Sequence, residues 1–401
     1  MDFEDSPDEA AFRLEARDWL AANRLADWEE ALNGDEDLLF EWAKRWQAVK
    51  YDAGWACLGW PKAFGGRDAS AVDQHIFAQE EGAIGKLSLL FTIGHAMAAP
   101  TLMAYASDEQ KTRLLPRLAR GDEYWCQMFS EPAAGSDLAG VRTKAARDGD
   151  EWVVSGQKVW TSFAHRADWA ILLTRSDFDA PKHKGLTYFF VDMKSPGIEV
   201  RPIRQMTGDA EFNEVFLDGV RIPDSQRLGA EGEGWRVALT TLMNERANTS
   251  GSFAPMIEEM IELASSTDWG ESRAIDHDGV REKIADWYVK SSGLKYAELR
   301  TLTALSKGRD PGPESSITKL VAAKNRQNMS SLMLDILDHG GVAWDETAPL
   351  GGKFQYEFFR TAANRIEAGT DEVLRNIIAE RVLGLPPEPR PDKERPFREL
   401  L

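Results

Sequence analysis

The sequence predicts an α+β protein with segregated layers, in which a helical block comes first, strands follow and long helices close the chain. Two observations lead to this prediction. Apolar residues recur at three- and four-residue spacing before residue 123 and after residue 232, which is typical of amphipathic helices. Between these limits the chain breaks into short runs rich in Val, Ile, Phe and Tyr, which is typical of strands.

Residues 1–122 are predicted to form a helical domain. The helical spacing is clearest in "AAFRLEARDWLAANRL" and "LLFEWAKRWQAVKYDAGW". The segment "SPDEAAF" has the composition of a helix start, because a proline and acidic residues fall in its first turn. The segment "GWPKAFGG" predicts a turn.

A small β barrel or sandwich is predicted for residues 123–232. Gly, Pro and Asp separate the candidate strands, which are "EWVVSGQKVW", "ADWAILLTRSD", "LTYFFVDM", "GIEVRPI" and "NEVFLDGVRI". Helical spacing returns in residues 233–385, from "GEGWRVALTTLMNE" to "TDEVLRNIIAERVLG". The tail, residues 386–401, is expected to be extended, because "LPPEPRPDKERPFREL" is too proline-rich and charged to bury much surface.

Composition excludes several classes of function. The formal net charge of -18 argues against a nucleic-acid partner or an anionic membrane surface, because the net field repels phosphate. Two cysteines, Cys57 and Cys126, exclude a disulfide framework. The six histidines show no ligand spacing, so no metal site is expected. The sequence has no signal-peptide pattern and no apolar run of membrane-spanning length, so we expect a cytoplasmic protein.

Two adjoining segments carry a family resemblance. "WCQMFSEPAAGSDLAGVRTKA", followed by "WVVSGQKVWTS", resembles the acyl-CoA dehydrogenase family, and "GWPKAFGG", "QMTGDAEFNEVFLDGVRIP" and "GTDEVLRNIIAERVLGLP" follow in family order. The resemblance covers essentially the whole chain. It implies an N-terminal helical domain, a middle β-barrel-like domain and a C-terminal four-helix bundle. It also implies FAD between the β domain and the helices, usually in a homo-oligomer that is a dimer or a tetramer.

The segment "MFSEPAAGSD" is the first candidate cofactor site. Its Pro, Ala and Gly residues let backbone N–H groups approach a ligand, and its serines supply hydroxyl groups. The alternative is an ordinary loop that Asp137 caps. The resemblance implies that Phe129 and Ser130 lie along the isoalloxazine ring. It places Gly135 and Ser136 near the cofactor phosphates and the CoA part of the substrate.

The other cofactor candidates also follow from the resemblance. Trp160 and Ser162 match positions that stack on the flavin and hydrogen-bond near N5, although Trp160 could instead be a core aromatic. Thr370 and Glu372 match cofactor contacts, but Thr370 before two acids is also a good helix N-cap. "DHGG" resembles the segment that a neighbouring subunit contributes to the adenine end, which adds these glycines to the candidates: Gly340 and Gly341.

The family reaction removes an α-proton and a β-hydride from an acyl thioester, so it needs a base. Ala368 stands where much of the family carries a catalytic Glu, and we expect the backbone at Ala368 and Gly369 to contact the thioester instead. A subset of the family places its base on a helix before an Arg, and Glu245 matches that position. Its rival is Glu367. The neighbouring Arg246 is expected to hold the acyl-CoA, or else to form a surface salt bridge.

One departure from the family pattern leaves the reaction open. The Arg-x-x-Phe-Gly segment that contacts FAD of a paired subunit is absent, and Arg273 is a weak substitute.

The favoured function is an FAD-dependent acyl-CoA dehydrogenase that passes electrons to an electron-transferring flavoprotein. The alternatives are a flavin oxidase or monooxygenase, and one subunit of a hetero-oligomer. Small residues after the base leave room for a long, branched or ring-bearing acyl chain: Ala247, Thr249, Ser250 and Gly251.

Overall fold

The computed structural model describes residues 5–33, 35–248, 256–307, 312–313, 316–344 and 348–400. The chain forms two compact units. The first contains the residues up to 203, residues 210–245 and the chain from 390 onward, and the second contains residues 204–209 and 246–389.

The N-terminal helices confirm the predicted helical block. They are α1 (Pro7–Asn23), α2 (Trp28–Asn33), α3 (Glu36–Asp52), α4 (Ala71–Glu81), α5 (Ala99–Tyr105) and α6 (Asp108–Arg120). The start predicted at "SPDEAAF" is a capping box, in which the Ser6 side chain accepts from Glu9 N and the Glu9 carboxylate accepts from Ser6 N. At the predicted turn, a Cβ on Gly66 would lie 2.0 Å from the Trp60 carbonyl oxygen, so the turn requires glycine there.

Eight strands form one sheet in the first unit. They are β1 (Trp125–Met128), β2 (Lys144–Asp148), β3 (Glu151–Ser162), β4 (Trp169–Arg175), β5 (Leu186–Asp192), β6 (Ile198–Pro202), β7 (Phe212–Pro223) and β8 (Arg227–Leu228). The strand order is β6-β7-β3-β2-β4-β5-β8, and β1 pairs in parallel with β4. The sheet folds around its own apolar core, which contains residues from β1 through β7, so the predicted barrel-like domain is confirmed.

Strands β4 and β5 are buried on both faces. Ile171 and Leu173 of β4 belong to a core that the sheet shares with α5 and α6, whereas Ala170 and Leu172 belong to the core inside the sheet. Alternate side chains of a strand point to opposite faces, so a strand between two cores needs a continuous apolar run. This requirement explains why "WAILLTR" and "LTYFFVD" are almost wholly apolar.

Helix α7 (Gly234–Asn248) packs on the face of the sheet that the N-terminal helices also cover. Val237 and Ala238 are fully buried there, and Leu242 packs against the same core. The helix is therefore anchored in this core at Val237 and Ala238, two turns before Glu245.

The second unit is helical, as predicted. It contains α8 (Ile257–Ser266), α9 (Asp278–Ser306), α10 (Ser316–Leu337), α11 (Lys353–Asn364) and α12 (Asp371–Ile377), and a π-helical turn, Ile378–Val382, continues α12. Met260, Met333 and Phe354 lie in its apolar core. A small hairpin of β9 (Asp268–Trp269) and β10 (Ser272–Arg273) was not predicted, because strands of two residues show no alternation.

The tail differs from the expected extended segment at its end. Residues 386–395 are mostly exposed and form no helix or strand. Phe397, however, is 3% exposed and begins a 3-10 turn, Phe397–Leu400. One aromatic ring is enough to dock the end of an otherwise charged tail, because it removes a large apolar surface from water.

Among the described residues, no single helix is long and apolar enough to cross a membrane. One pair of segments, Ala71–Phe91 and Ile93–Tyr105, passes the same length and composition test together, but the pair bends by 67°. The part of the chain that the structure describes also contains no group of three or more His, Cys, Asp or Glu side chains arranged to hold a metal ion.

Candidate active site

The turn after β1 carries the first candidate residues. Phe129 is 5% exposed, and its ring meets the Tyr188 ring edge-on at a centroid distance of 5.7 Å. The Ser130 carbonyl accepts a 2.9 Å hydrogen bond from Val159 N, which brings the turn beside the end of β3. Glu131 and Ala134 exchange two backbone hydrogen bonds of 3.0 Å, so the turn is tight. The sequence therefore folds Phe129 and Ser130 against β3 and β5.

A buried lysine attaches this turn to the sheet. Lys158 is fully buried, and its Nζ donates to the carbonyl oxygens of Phe129 at 3.0 Å and Leu173 at 2.7 Å. The same Nζ lies 2.8 Å from Glu131 Oε1. Three acceptors satisfy all three N–H donors of the ammonium group, which is the condition for burying such a charge.

The partner carboxylate is equally constrained. Glu131 is 7% exposed and accepts from the backbone N–H groups of Arg142 at 2.6 Å and Thr143 at 2.9 Å. Burial opposes the ionisation of Glu131, but Lys158 and the hydrogen bonds outweigh it and hold the pKa of Glu131 below its usual range. The ion pair therefore attaches the turn to β3 and β4 through Lys158, and to the segment before β2 through Glu131.

Gly135 and Ser136 occupy the outer part of this turn and are exposed. A Cβ at Gly135 would meet no atom within 4 Å, so the glycine leaves the space above the turn open. Asp137 does not cap the following 3-10 turn through its side chain, and pairs instead with the Lys182 ammonium group. Asp137 therefore does not cap this loop with its side chain, and the cofactor role of Gly135 and Ser136 stays a prediction.

Trp160 is held in an unusual conformation at the end of β3. Its φ of 59° is left-handed, and the β3–β7 register shifts between Lys158 and Thr161. Its ring is 58% exposed and meets the Phe212 ring edge-on at 6.0 Å. The alternative of a core aromatic is thus wrong. A left-handed φ costs about 1–3 kcal/mol in a residue other than glycine, and such strain is typical of functional sites.

Buried Asn213 supports this bulge from β7. Its Nδ2 donates to the Thr161 carbonyl at 2.9 Å, and its Oδ1 lies 3.0 Å from His165 Nδ1. Ser162 is half-buried and pairs with Phe212 in the β3–β7 ladder. Trp160 directly follows Val159, whose N–H donates to the Ser130 carbonyl at 2.9 Å, so the bulge begins next to the β1 turn.

Helix α7 brings Glu245 to the same region. Thr241 is fully buried, and its hydroxyl lies 2.9 Å from Tyr188 Oη and 2.8 Å from Thr101 Oγ1. Since Tyr188 packs on Phe129, Thr241 marks the face of α7 that lies over the β1 turn. Glu245 follows Thr241 by four residues and so lies one turn further along that face, half-buried.

Several candidates after Glu245 lie outside the described residues. Arg246 and Ala247 belong to α7, but their side chains are not among those described. The same holds for the whole of Thr249, Ser250 and Gly251. The roles of these residues stay predictions.

The turn between α11 and α12 carries the candidates of the second unit. Ala368 and Gly369 both have left-handed φ values, 51° and 92°, and Lys319 Nζ donates to the Gly369 carbonyl at 2.7 Å. Glu367, the rival base, accepts from Arg360 at 3.0 Å and Asn364 at 2.7 Å. These contacts give Glu367 a structural role within its own unit.

Thr370 is the N-cap of α12, because its hydroxyl accepts from Val373 N at 3.2 Å. The capping alternative is therefore confirmed, and it leaves the cofactor contact as a prediction. The Glu372 side chain is 75% exposed and lies 3.8 Å from Arg375 Nη1. The first turn of α12 thus presents an exposed acid beside a buried one, Asp371.

The two glycines of "DHGG" are required by packing inside the second unit. A Cβ at Gly341 would lie 2.5 Å from the Leu334 carbonyl oxygen, and one at Gly340 would lie 2.8 Å from Pro349 Cγ. Their contact with a neighbouring subunit's cofactor stays a prediction. Arg273, the weak substitute, pairs with Asp268 at 3.0 Å and donates to the Ser266 carbonyl, so it stabilises its own hairpin.

Sequence reasoning missed the residues that hold the site together. Lys158 and Glu131 are charged residues that sequence patterns assign to the surface, and Tyr188 and Thr241 show no motif. The available signal was the position of Lys158 and Glu131 inside the two segments that carry the family resemblance.

The described residues of the first unit fit one face of a flat aromatic cofactor. Trp160 keeps a large exposed ring beside Ser130, and Gly135 leaves open space at the outer end of the turn. The Phe129–Glu131 segment is fixed by buried charges rather than by solvent contacts. That Phe129, Ser130, Trp160 and Ser162 hold the flavin ring of FAD stays a prediction.

Comparison with known families matches almost the whole chain. The acyl-CoA dehydrogenase N-terminal domain matches residues 6–122, the middle domain matches residues 126–220 and the C-terminal domain matches residues 232–383. Acyl-CoA dehydrogenase IpdE1 of Mycobacterium tuberculosis is 38% identical over 388 residues, which cover 94% of this chain and 98% of the relative. Acyl-CoA dehydrogenase FadE34 of the same organism is 39% identical over 342 residues, 85% of this chain, and the match spans 46% of that longer relative.

Solved structures agree with the sequence relatives. The ChsE4–ChsE5 complex from Mycobacterium tuberculosis matches with a TM-score of 0.82 and 32% identity, covering 97% of this chain and 100% of that chain. The Tcur3481–Tcur3483 steroid ACAD matches with a TM-score of 0.81 and 27% identity over the same shares. The chain therefore belongs to the acyl-CoA dehydrogenase family, whose members are FAD-dependent oxidoreductases.

Proposed function

We propose that this enzyme removes an α-proton and a β-hydride from an acyl-CoA thioester to give a trans-2-enoyl-CoA, with Glu245 as the base. The electrons then pass to an electron-transferring flavoprotein. The observation that carries the proposal is the position of Glu245. It lies one helical turn beyond Thr241, whose hydroxyl bonds to Tyr188, and the Tyr188 ring packs on Phe129 of the β1 turn.

Glu245 suits the role of base for two physical reasons. It is half-buried, and a positioned carboxylate can act as the general base that takes a proton from an activated α-carbon. It also stands on a helix whose preceding turns are packed in the core through Val237 and Ala238, so its position is fixed by rigid structure. Glu367 is less suitable, because Arg360 and Asn364 hold its carboxylate in local contacts.

Phe129, Ser130, Trp160 and Ser162 would hold FAD, which would supply the acceptor for the hydride of the β-carbon. The residues of the first unit would bind the flavin ring and shield it from water. The Trp160 ring provides an exposed apolar surface, and the buried Lys158–Glu131 pair keeps the Phe129–Ser130 backbone in place. A preorganised site of this kind avoids reorganisation during the reaction.

The substrate class is proposed to be a CoA thioester with a ring-bearing acyl group, such as a steroid side chain. The support is the match to the Tcur3481–Tcur3483 steroid ACAD over 97% of this chain. Small residues after Glu245 in the sequence agree with a wide acyl chain.

A second candidate is that the chain acts as one of two different subunits in a hetero-oligomer. Two observations favour it. The ChsE4–ChsE5 structure is a complex of two named components. In addition, the family's Arg-x-x-Phe-Gly segment is replaced here by a hairpin in which Arg273 bonds to Asp268 and Ser266.

An anaerobic titration tests the proposed reaction and the substrate class together. The chain is purified alone, its visible spectrum is recorded, and straight, branched and steroid acyl-CoA thioesters are added. Flavin bleaching by the steroid thioesters supports the proposal, and bleaching by straight chains alone would overturn the substrate class. A colourless protein that gains flavin on mixing with a second subunit would establish the hetero-oligomer. Fast reoxidation in air with no response to CoA thioesters would indicate an oxidase or monooxygenase.

A further inference from the structure

The end of the chain docks onto the first unit through residues 396–400, here called the strap. Phe397 N donates to the Ala180 carbonyl at 3.0 Å, and Arg398 N donates to the Phe178 carbonyl at 2.9 Å. The Phe397 ring lies 6.0 Å from the Phe178 ring and is almost fully buried. Two backbone hydrogen bonds and one ring therefore attach the strap to the β4–β5 connection.

Phe397 covers a buried cation. The Arg175 guanidinium carbon lies 3.6 Å from the centroid of the Phe397 ring, within the range of a cation–π contact. Arg175 is 0% exposed, and burial lowers its pKa to about 10. The ring thus takes the place of water over the guanidinium group.

Arg175 in turn fixes the backbone that follows Ser136. Its Nε donates to the Val141 carbonyl at 3.0 Å, and its Nη2 donates to the carbonyls of Ala139 at 2.6 Å and Lys182 at 3.0 Å. The Lys182 ammonium group pairs with Asp137, the residue after Ser136. Arg175 therefore ties the 137–141 segment to the connection that the strap covers.

We propose that Phe397 is a positioning residue for the CoA part of the substrate. The strap holds Arg175 in place, and Arg175 holds the 137–141 segment that directly follows Ser136. This inference rests on the proposed function, because it requires an acyl-CoA substrate, and the position of Ser136 beside CoA is what the family resemblance implies. The proline-rich and charged tail, whose composition predicts little burial, thereby contributes to substrate affinity.

The kinetic test uses the FAD-saturated full-length enzyme and the acyl-CoA that bleaches it best. Phe397→Ala is expected to raise KM about tenfold, equivalent to about 1.4 kcal/mol, with kcat changed less than about twofold. Phe397→Tyr keeps the ring face and should restore KM to within about twofold of the wild type. Glu399→Gln is the matched control within the strap, because the Glu399 side chain pairs, among the described residues, only with the exposed Arg395 that precedes the strap.

A second measurement tests the same proposal without enzyme turnover. Hydrogen exchange of the 136–142 backbone amides should be about tenfold faster in Phe397→Ala, while amides of α1 stay unchanged. If Phe397→Ala does not fold, Phe397→Leu provides an apolar side chain without a ring and is measured in its place.

The outcomes separate the two proposals. An unchanged KM and unchanged exchange in Phe397→Ala would overturn the role of the strap, as would a fall in kcat with KM unchanged. If no acyl-CoA is turned over by the wild type, the proposed function fails. The exchange rates of the 136–142 segment then decide alone whether the strap positions this segment.

Discussion

Two turns carry the predicted ligand residues, and they are stabilised in different ways. The turn after β1 in the first unit rests on a buried ion pair, Lys158 with Glu131, whose contacts reach β3, β4 and the segment before β2. The turn before α12 in the second unit is held mainly by neighbours in sequence, such as Asp371 with Arg365. The first turn depends on the complete sheet, whereas the second depends largely on its own local sequence.

This difference affects how the two turns respond to substitution. Removing one partner of a fully buried ion pair leaves an uncompensated charge in the core. Removing a local cap or a partly exposed partner lets water take over part of the interaction. Loss of the ion pair should therefore unfold the first turn together with the first unit, whereas loss of a local contact should unfold the second turn alone.

Lys158→Met should have the largest effect on stability. It leaves the Glu131 carboxylate buried without its cation, and the expected loss is about 3–5 kcal/mol of unfolding free energy. Urea unfolding of the FAD-free protein measures this loss. Lys194→Met is the control, because Lys194 is exposed and its pair with Asp168 should contribute little to stability. Equal losses in the two variants would contradict the comparison.

The pH dependence of stability sharpens this prediction. Because the pKa of Glu131 in the folded protein lies below its usual range, the ionised carboxylate stabilises the fold at neutral pH. That contribution is lost as the pH falls from the ordinary carboxyl range through the folded-state pKa. Unfolding free energy should therefore fall less steeply in acid for Lys158→Met than for the wild type. Parallel curves would contradict this assignment.

Arg365→Gln should have a smaller and more local effect. Asp371 is 1% exposed, and Arg365 Nε donates to its Oδ2 at 2.7 Å, while Oδ1 has no hydrogen-bond partner among the described residues. Loss of Arg365 should cost about 1–3 kcal/mol. Hydrogen exchange should show faster opening of α12 and no change in β1 and β3. Arg375→Gln, which removes the exposed contact with Glu372, is the matched control.

Thr370→Ala should have the smallest effect. The hydroxyl caps one N–H group of α12, and loss of such a cap costs about 1 kcal/mol. Thr370→Ser keeps the hydroxyl and should retain most of that stability, as measured by exchange of the Val373 amide. An alanine variant with the stability of the serine variant would show that the cap contributes little.

Much of the fold could be predicted, because it follows from local patterns. The capping box at Ser6, the helical spacing of α1 and α3, and the apolar runs of β4 and β5 all act over a few residues. The β9–β10 hairpin and the docking of Phe397 could not be predicted. Two-residue strands have no period, and the docking of one ring depends on Phe178 and Arg175, which are distant in sequence.

Residues of the candidate site could be proposed from the sequence, but the contacts that hold them in place could not. The family resemblance predicts the β1 turn, Trp160 and Glu245 as site residues. The exposure of Trp160 depends on a bulge that β3 forms against β7, and the burial of Lys158 depends on three strands that meet below it. A lysine in an alternating run normally lies in solvent, so sequence alone assigns it to the surface.

The most direct test of the central claim is the rate of flavin reduction by a saturating acyl-CoA, measured by anaerobic stopped flow in Glu245→Gln and Glu367→Gln. Glu245→Gln should reduce its flavin about 1,000-fold more slowly than the wild type, because a general base contributes rate factors of this order. Glu367→Gln should stay within a few-fold of the wild type. A fast Glu245→Gln enzyme together with a slow Glu367→Gln enzyme would show that the base lies in the second unit and that Glu245 was wrongly assigned.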